Sequence, residues 1–231
     1  MKKFDSFTLK IITIITMLMD HLYRYSGQIH TDIPLFFGYL GKLATPLFIF
    51  LLVEGYFQTS NRFKYLTRLI IFSALMIVLE SILKIGDNIF LSLTLSVVIM
   101  MMIDNIRFIK SNIIATLSFF ILIISSAIYL CTNASYYGLA ITLIFYLCRD
   151  YNLLMALCYL LLSIQPIFPA LSTKDILNQL FIHNIQWMMI FAIIPILMYN
   201  GKQGLKNKFT KCPFYVFYPV HLIVIVLINL I

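Results

Sequence analysis

Charge is scarce in this sequence. Of 231 residues, 9 are Asp or Glu and 17 are Lys or Arg, so charged side chains make up 11% of the chain, where a soluble domain carries about a quarter. A chain this poor in polar groups cannot cover a water-facing globule, and a soluble fold is excluded. A hydrophobic fraction of 61% and a mean hydropathy of +0.96 also exclude a disordered chain, because disorder needs a sequence too polar to collapse. With no polar domain to present it, the net charge of +8 does not make this a soluble nucleic-acid binder. Cysteine is sparse too. Cys131, Cys148, Cys158 and Cys212 fit no zinc or haem spacing, and they read as small buried hydrophobes rather than disulfides or metal ligands. The linkers between apolar stretches are too short for a Walker loop or a dinucleotide fold. Internal repeats, low-complexity tracts and alternating ten-residue segments are missing as well. These absences weaken an inverted-repeat transporter and a membrane β-barrel.

What the chain has instead is long apolar runs. Nine stretches approach the roughly 20 residues that a membrane-spanning helix needs, at about 7–25, 36–57, 65–85, 89–105, 112–131, 134–148, 151–169, 176–199 and 213–231. Backbone groups in lipid must bond within their own segment, so these read as helices. The expected fold is an all-α integral membrane protein, one polytopic bundle over residues 1–231. No small-residue cleavage site follows the first stretch, which reads as an uncleaved span. With a cytoplasmic N-terminus, twelve Lys and Arg fall in inner segments and four in outer ones. That bias supports nine spans with the C-terminus outside.

Ionisable side chains within the spans are costly and point to function. They are Lys10, Asp20, His21, Glu54, Glu80, His183 and His221. Lys10 and His21 are eleven positions apart, which places them within about 20° of one helix direction and about 16 Å apart along the axis. Such a stripe suits an elongated anionic ligand, and it equally suits a snorkelling lysine with an interfacial histidine. Asp20 either supports the imidazole of His21 or pairs with Arg24 or Lys42. Pro46 is expected to bend the second stretch, and Gly41 and Ala44 to permit close helix approach. Arg62, Lys64 and Arg68 form a basic, aromatic-bearing loop suited to phosphates, which the positive-inside signal also explains. His221, preceded by Tyr218 and Pro219, lies deep in the last stretch, as a site residue or as a core histidine bonded to a neighbouring carbonyl.

The order of several short motifs resembles the TraX family of membrane proteins, named for a conjugative-pilin acetylase. The likeness is carried by Leu9-Lys10-Ile11-Ile12 with Met19-Asp20-His21, by Gly41 through Tyr56 with Pro46 and Glu54-Gly55, and by Asn61, Lys64-Tyr65 and Arg68-Leu69. Glu80, Asn88, Thr94, Tyr137-Gly138 and Tyr199-Asn200-Gly201-Lys202 follow, and Phe217-Tyr218-Pro219-Val220-His221-Leu222 closes the series. Through that family the chain also resembles a wider transmembrane acyltransferase group, in which a basic residue and a histidine separated by ten intervening residues share one helix. Here Lys10 stands where an arginine is usual. The resemblance implies a multi-pass protein of the bacterial cytoplasmic membrane that takes acetyl-CoA from the cytosol. It would acylate an amine or hydroxyl, such as a pilin or peptide N-terminus or a glycan, without a metal. It implies His21 as the catalytic histidine and Lys10 as a donor contact; the polar residues of the chain add Asp20 and His221 as catalytic candidates and Arg62, Lys64, Arg68 and Tyr218 as candidate donor contacts. The competing expectations are a small-molecule or ion transporter, a non-catalytic membrane assembly factor, and a haem or quinone protein pairing His21 with His183.

Overall fold

The computed structural model describes residues 3–25, 33–84, 86, 88–204 and 208–229, with the side chains of 208–215 and 229 excepted. Lys2 and Lys206, counted above as inner basic residues, lie outside the described residues, as do the side chains of Lys208, Lys211 and Cys212. Each of the nine apolar stretches is helical. The helices are α1 (Ser6–Arg24), α2 (Leu35–Gln58), α3 (Arg62–Leu83), α4 (Ile89–Phe108) and α5 (Asn112–Leu130), then α6 (Ser135–Leu147), α7 (Asn152–Leu171), α8 (Ile176–His183), α9 (Ile185–Leu197) and α10 (Lys208–Asn229). Five of them, α2, α3, α4, α5 and α7, are long and apolar enough to cross a membrane. The pair α8 and α9, bent by 65°, adds a sixth if it is one span. At 13 residues, α6 is shorter than a crossing requires.

Helix starts follow from local chemistry. Asp5 caps α1 by accepting from the backbone and hydroxyl of Thr8, both at 2.8 Å, and these bonds hold its carboxyl below the usual carboxylate range. Asn61 caps α3 through the N–H of Lys64, and Asn88 caps α4 through that of Leu91. The break in α2 at Lys42–Leu43 has a readable cause. Proline at position 46 offers no N–H to the carbonyl of Lys42, and its ring crowds that same carbonyl four residues back.

The chain forms two compact units, Met1–Leu51 with Cys148–Ile231, and Leu52–Leu147. In the first, α1 packs on the opening turns of α2 and on α10, and α7 packs on α9. Asn200 and the backbone of Phe4 bond at 2.8 Å, Ser6 N–H donates to Lys202, and Asn200 Oδ1 accepts from Lys202. The Tyr199-Asn200-Gly201-Lys202 motif thus pins the residues before α1, with Gly201 at φ +77° making the turn. The bend between α8 and α9 frees backbone carbonyls, and distant side chains satisfy them. Trp187 donates to Leu180, Tyr39 to Phe181 and Tyr159 to Met189, while Asn184 donates to Pro166. In the second unit, α4 packs against α3 and α5, which expose apolar rows such as Ile71, Val78 and Ile82, and Leu117, Phe120 and Ile124. Rows of this size on two neighbouring helices are what lipid-facing surfaces require.

Candidate functional site

The buried stripe of α1 runs through Leu9, Thr13, Thr16, Met17 and Asp20, with His21 at its edge. Thr13 and Thr16 turn their hydroxyls back onto the carbonyls of Leu9 and Thr13, so they add no polar demand to the packing. Lys10 is half-buried and shares the edge on which His21 lies. Gly38 and Gly41 let α2 close on this helix. A Cβ on Gly41 would stand 2.6 Å from Cα and Cβ of Asp20, and one on Gly38 would stand 2.8 Å from the ring of Tyr23.

Two histidines meet in this first unit. His21 and His221 are 4% and 6% exposed, and Nδ1 of His21 lies 2.5 Å from Nε2 of His221. Their rings are nearly parallel, with centroids 4.8 Å apart and planes at 10°. On its other side, His221 stacks on Phe217 at 5.1 Å and 14°, and its Nδ1 is 2.8 Å from the carbonyl of Phe217. Tyr218, buried, stands edge-on to both imidazoles at 5.6 and 5.4 Å. As the core-histidine reading expects, one ring nitrogen of His221 bonds a neighbouring carbonyl, and the other bonds His21. The ring that meets His21 is therefore not that of His183, which is exposed on α8.

Asp20 uses both carboxylate oxygens on cations, Oδ2 with Arg24 at 2.6 Å and Oδ1 with Lys42 at 3.5 Å. It lies one residue from His21, whose Nδ1 is met by Nε2 of His221 rather than by the carboxylate. Lys42 reaches Asp20 from the break in α2, so the Pro46 break positions a cation for the carboxylate.

The basic residues expected to meet a donor are carried by both units. Lys10 belongs to the first; Arg62, Lys64 and Arg68 lie in the first turns of α3 in the second and are exposed. Arg62 is already engaged. Its guanidinium donates to Asp104 at 2.6 Å and lies 4.4 Å above the ring of Tyr56. Tyr56 and Tyr146 also donate to Asp104. Sequence reasoning missed this group, because Asp104 sits at the very end of the fourth apolar stretch and reads as interfacial. The depth of a carboxylate within an apolar run was the one available signal. Asp104→Leu strands two buried hydroxyls and a half-exposed guanidinium. It is expected to cost about 2–4 kcal/mol, read as a lower melting temperature in detergent, whereas Asp150→Leu at an exposed pair changes little. Among the described residues, no three His, Cys, Asp or Glu side chains are grouped to hold a metal ion.

Comparison with known proteins adds a family. A stretch of 75 residues is 40% identical to a probable fimbrial assembly protein FimC, serogroup H1, of Dichelobacter nodosus, covering 31% of this chain and 30% of that protein. The aligned stretch thus spans less than a third of the relative's length. No solved structure matches the chain. The model of the TraX family, described as TraX protein, matches residues 6–229. That span holds α1 to α10 and both histidines, and the chain belongs to the TraX family.

Proposed function

We propose that this protein transfers an acetyl group from cytosolic acetyl-CoA to an amine or hydroxyl at or across the bacterial cytoplasmic membrane. The acceptor class we favour is the N-terminus of a pilin or another secreted peptide. The observation that carries the reading is a buried pair of hydrogen-bonded imidazoles in a TraX-family chain, one on the helix that also bears Lys10 and the other on α10. A histidine held in this way suits general-base work near neutral pH. The base takes a proton from the acceptor as its nitrogen or oxygen attacks the thioester carbonyl. The carbon–sulfur bond then breaks, and the thiolate leaves as free CoA thiol once it regains that proton. The thioester is already an activated acyl group, so the step asks for a base and an oxyanion donor rather than a covalent enzyme intermediate. The proposed topology has the N-terminus in the cytoplasm, as the Lys and Arg distribution supports.

On this reading, acetyl-CoA raises the melting temperature of the detergent-purified protein, and an unchanged melting temperature at saturating acetyl-CoA counts against it. Lys10→Ala is expected to weaken acetyl-CoA binding by about tenfold, one lost charge contact, while turnover at saturation stays near that of the natural protein. Titration calorimetry gives the dissociation constant, and a normal value removes Lys10 from the donor site. The printed name of the D. nodosus relative favours a second reading, a non-catalytic factor in fimbrial assembly. On that reading His21 and His221 are replaceable without loss of assembly.

A further inference from the structure

The two histidines do not have interchangeable roles, and the geometry points to Nε2 of His21 as the basic atom and to His221 as a positioning residue. The inference rests on the acyl-transfer reading above and decides which imidazole does the proton work. It starts from Phe217. A carbonyl oxygen carries no proton, so the 2.8 Å bond between it and His221 Nδ1 is made by an N–H on the ring. A neutral imidazole has one N–H. With that proton on Nδ1, Nε2 of His221 is an acceptor, and its 2.5 Å partner, Nδ1 of His21, supplies the hydrogen. The neutral ring of His21 is then protonated on Nδ1 and unprotonated on Nε2. One backbone carbonyl thus sets the tautomer of a ring on another helix, two hydrogen bonds away.

The same contacts fix orientation. The rings of Phe217, His221 and His21 lie within 14° and 10° of their neighbours' planes, and Tyr218 closes the edge of both imidazoles. His221 has one nitrogen committed to Phe217 and the other to His21, so its ring has no nitrogen left for an acceptor. When Nε2 of His21 takes the acceptor's proton, the ring becomes an imidazolium. Its Nδ1–H bond to His221 becomes charge-assisted and strengthens. When the thiolate leaves, Nε2 returns the proton to sulfur and the neutral pair is restored. This is the division of labour in which a base is oriented and its cation stabilised by a third group, with an imidazole and a carbonyl in place of a carboxylate.

The test is nitrogen NMR of the full-length protein with 15N-labelled histidine, in detergent and with no ligand. The natural chain is expected to show His21 protonated on Nδ1. His221→Ala should release the ring to a mixture of tautomers, whereas His221→Gln, whose amide oxygen reaches the place of Nε2, should hold Nδ1 protonated. A natural chain with His21 protonated on Nε2, or averaging between tautomers, overturns the inference. Turnover of acetyl-CoA, read as free thiol, provides a second arm. His221→Ala is expected to lower kcat by about 100-fold at an unchanged KM for acetyl-CoA, and His221→Gln to recover most of it. An unchanged kcat in the alanine variant, or a glutamine variant no better than alanine, also overturns it. The acyl-transfer reading fails separately, if His21→Ala turns over acetyl-CoA like the natural chain whatever tautomer the spectra report.

Discussion

His21→Ala lowers acetyl-CoA turnover by about a thousandfold, the middle of the range for a positioned general base. The effect should sit in kcat. An acyl donor gains little ground-state binding from an imidazole that acts on the acceptor, so KM for acetyl-CoA stays within a few-fold. Folding survives the change. The variant loses the buried hydrogen bond to Nε2 of His221, a cost of about 1–3 kcal/mol, while the ion pairs of Asp20 with Arg24 and Lys42 remain. A melting curve taken beside the rate separates lost chemistry from lost structure. Loss of turnover far beyond what a drop of a few degrees in melting temperature explains is the expected pattern.

Gly41→Leu has the second large effect, and it acts on structure first. The new Cβ would stand 2.6 Å from Cα and Cβ of Asp20 and 2.9 Å from its backbone nitrogen. Backbone atoms within a helix do not move singly, so α1 must shift or α2 must withdraw. Either movement loosens Asp20 from Lys42 and carries His21 away from His221. Overpacking of this kind costs about 3 kcal/mol, and the distorted dyad should lose activity beyond what stability explains, since a displacement near 1 Å at a catalytic group costs about 100-fold. Gly86→Ala is the control, because a Cβ there meets nothing within 4 Å. A Gly41→Leu protein with a normal melting temperature and normal turnover would show that the close approach of α1 and α2 is not needed.

Much of this arrangement can be read from the residues alone, and the reasons differ by feature. Long apolar runs dictate helices in lipid, so the nine helical stretches follow from composition and length. Lys10 and His21 share an edge of α1 because helical periodicity places them there. The break in α2 follows from Pro46. The pairing of Asp20 with Arg24 is one helical turn long, and Lys42 was one of two partners the sequence offered. Other features depend on residues brought from far along the chain. His21 and His221 are 200 positions apart, and no local pattern pairs them. Asp104 draws Tyr56, Arg62 and Tyr146 from 42 to 48 positions away. The bend at Asn184 contains neither proline nor glycine, and the side chains that satisfy its carbonyls include Tyr39, 142 positions from its partner Phe181. Hydropathy also counts α1 and α6 as spans, although α6 is too short and α1 is not among the helices long and apolar enough to cross.

The measurement that bears most directly on the account is transfer itself. Purified protein in liposomes is given acetyl-CoA labelled in the acetyl group and a synthetic peptide with a free N-terminal amine. Label on the peptide and free CoA thiol are followed together, beside a His21→Ala preparation of equal folded content. The account predicts label and thiol appearing in step with the natural chain and falling to the protein-free level with the variant. Equal label with both proteins, or no thiol release above protein-free liposomes from the natural chain, would contradict it.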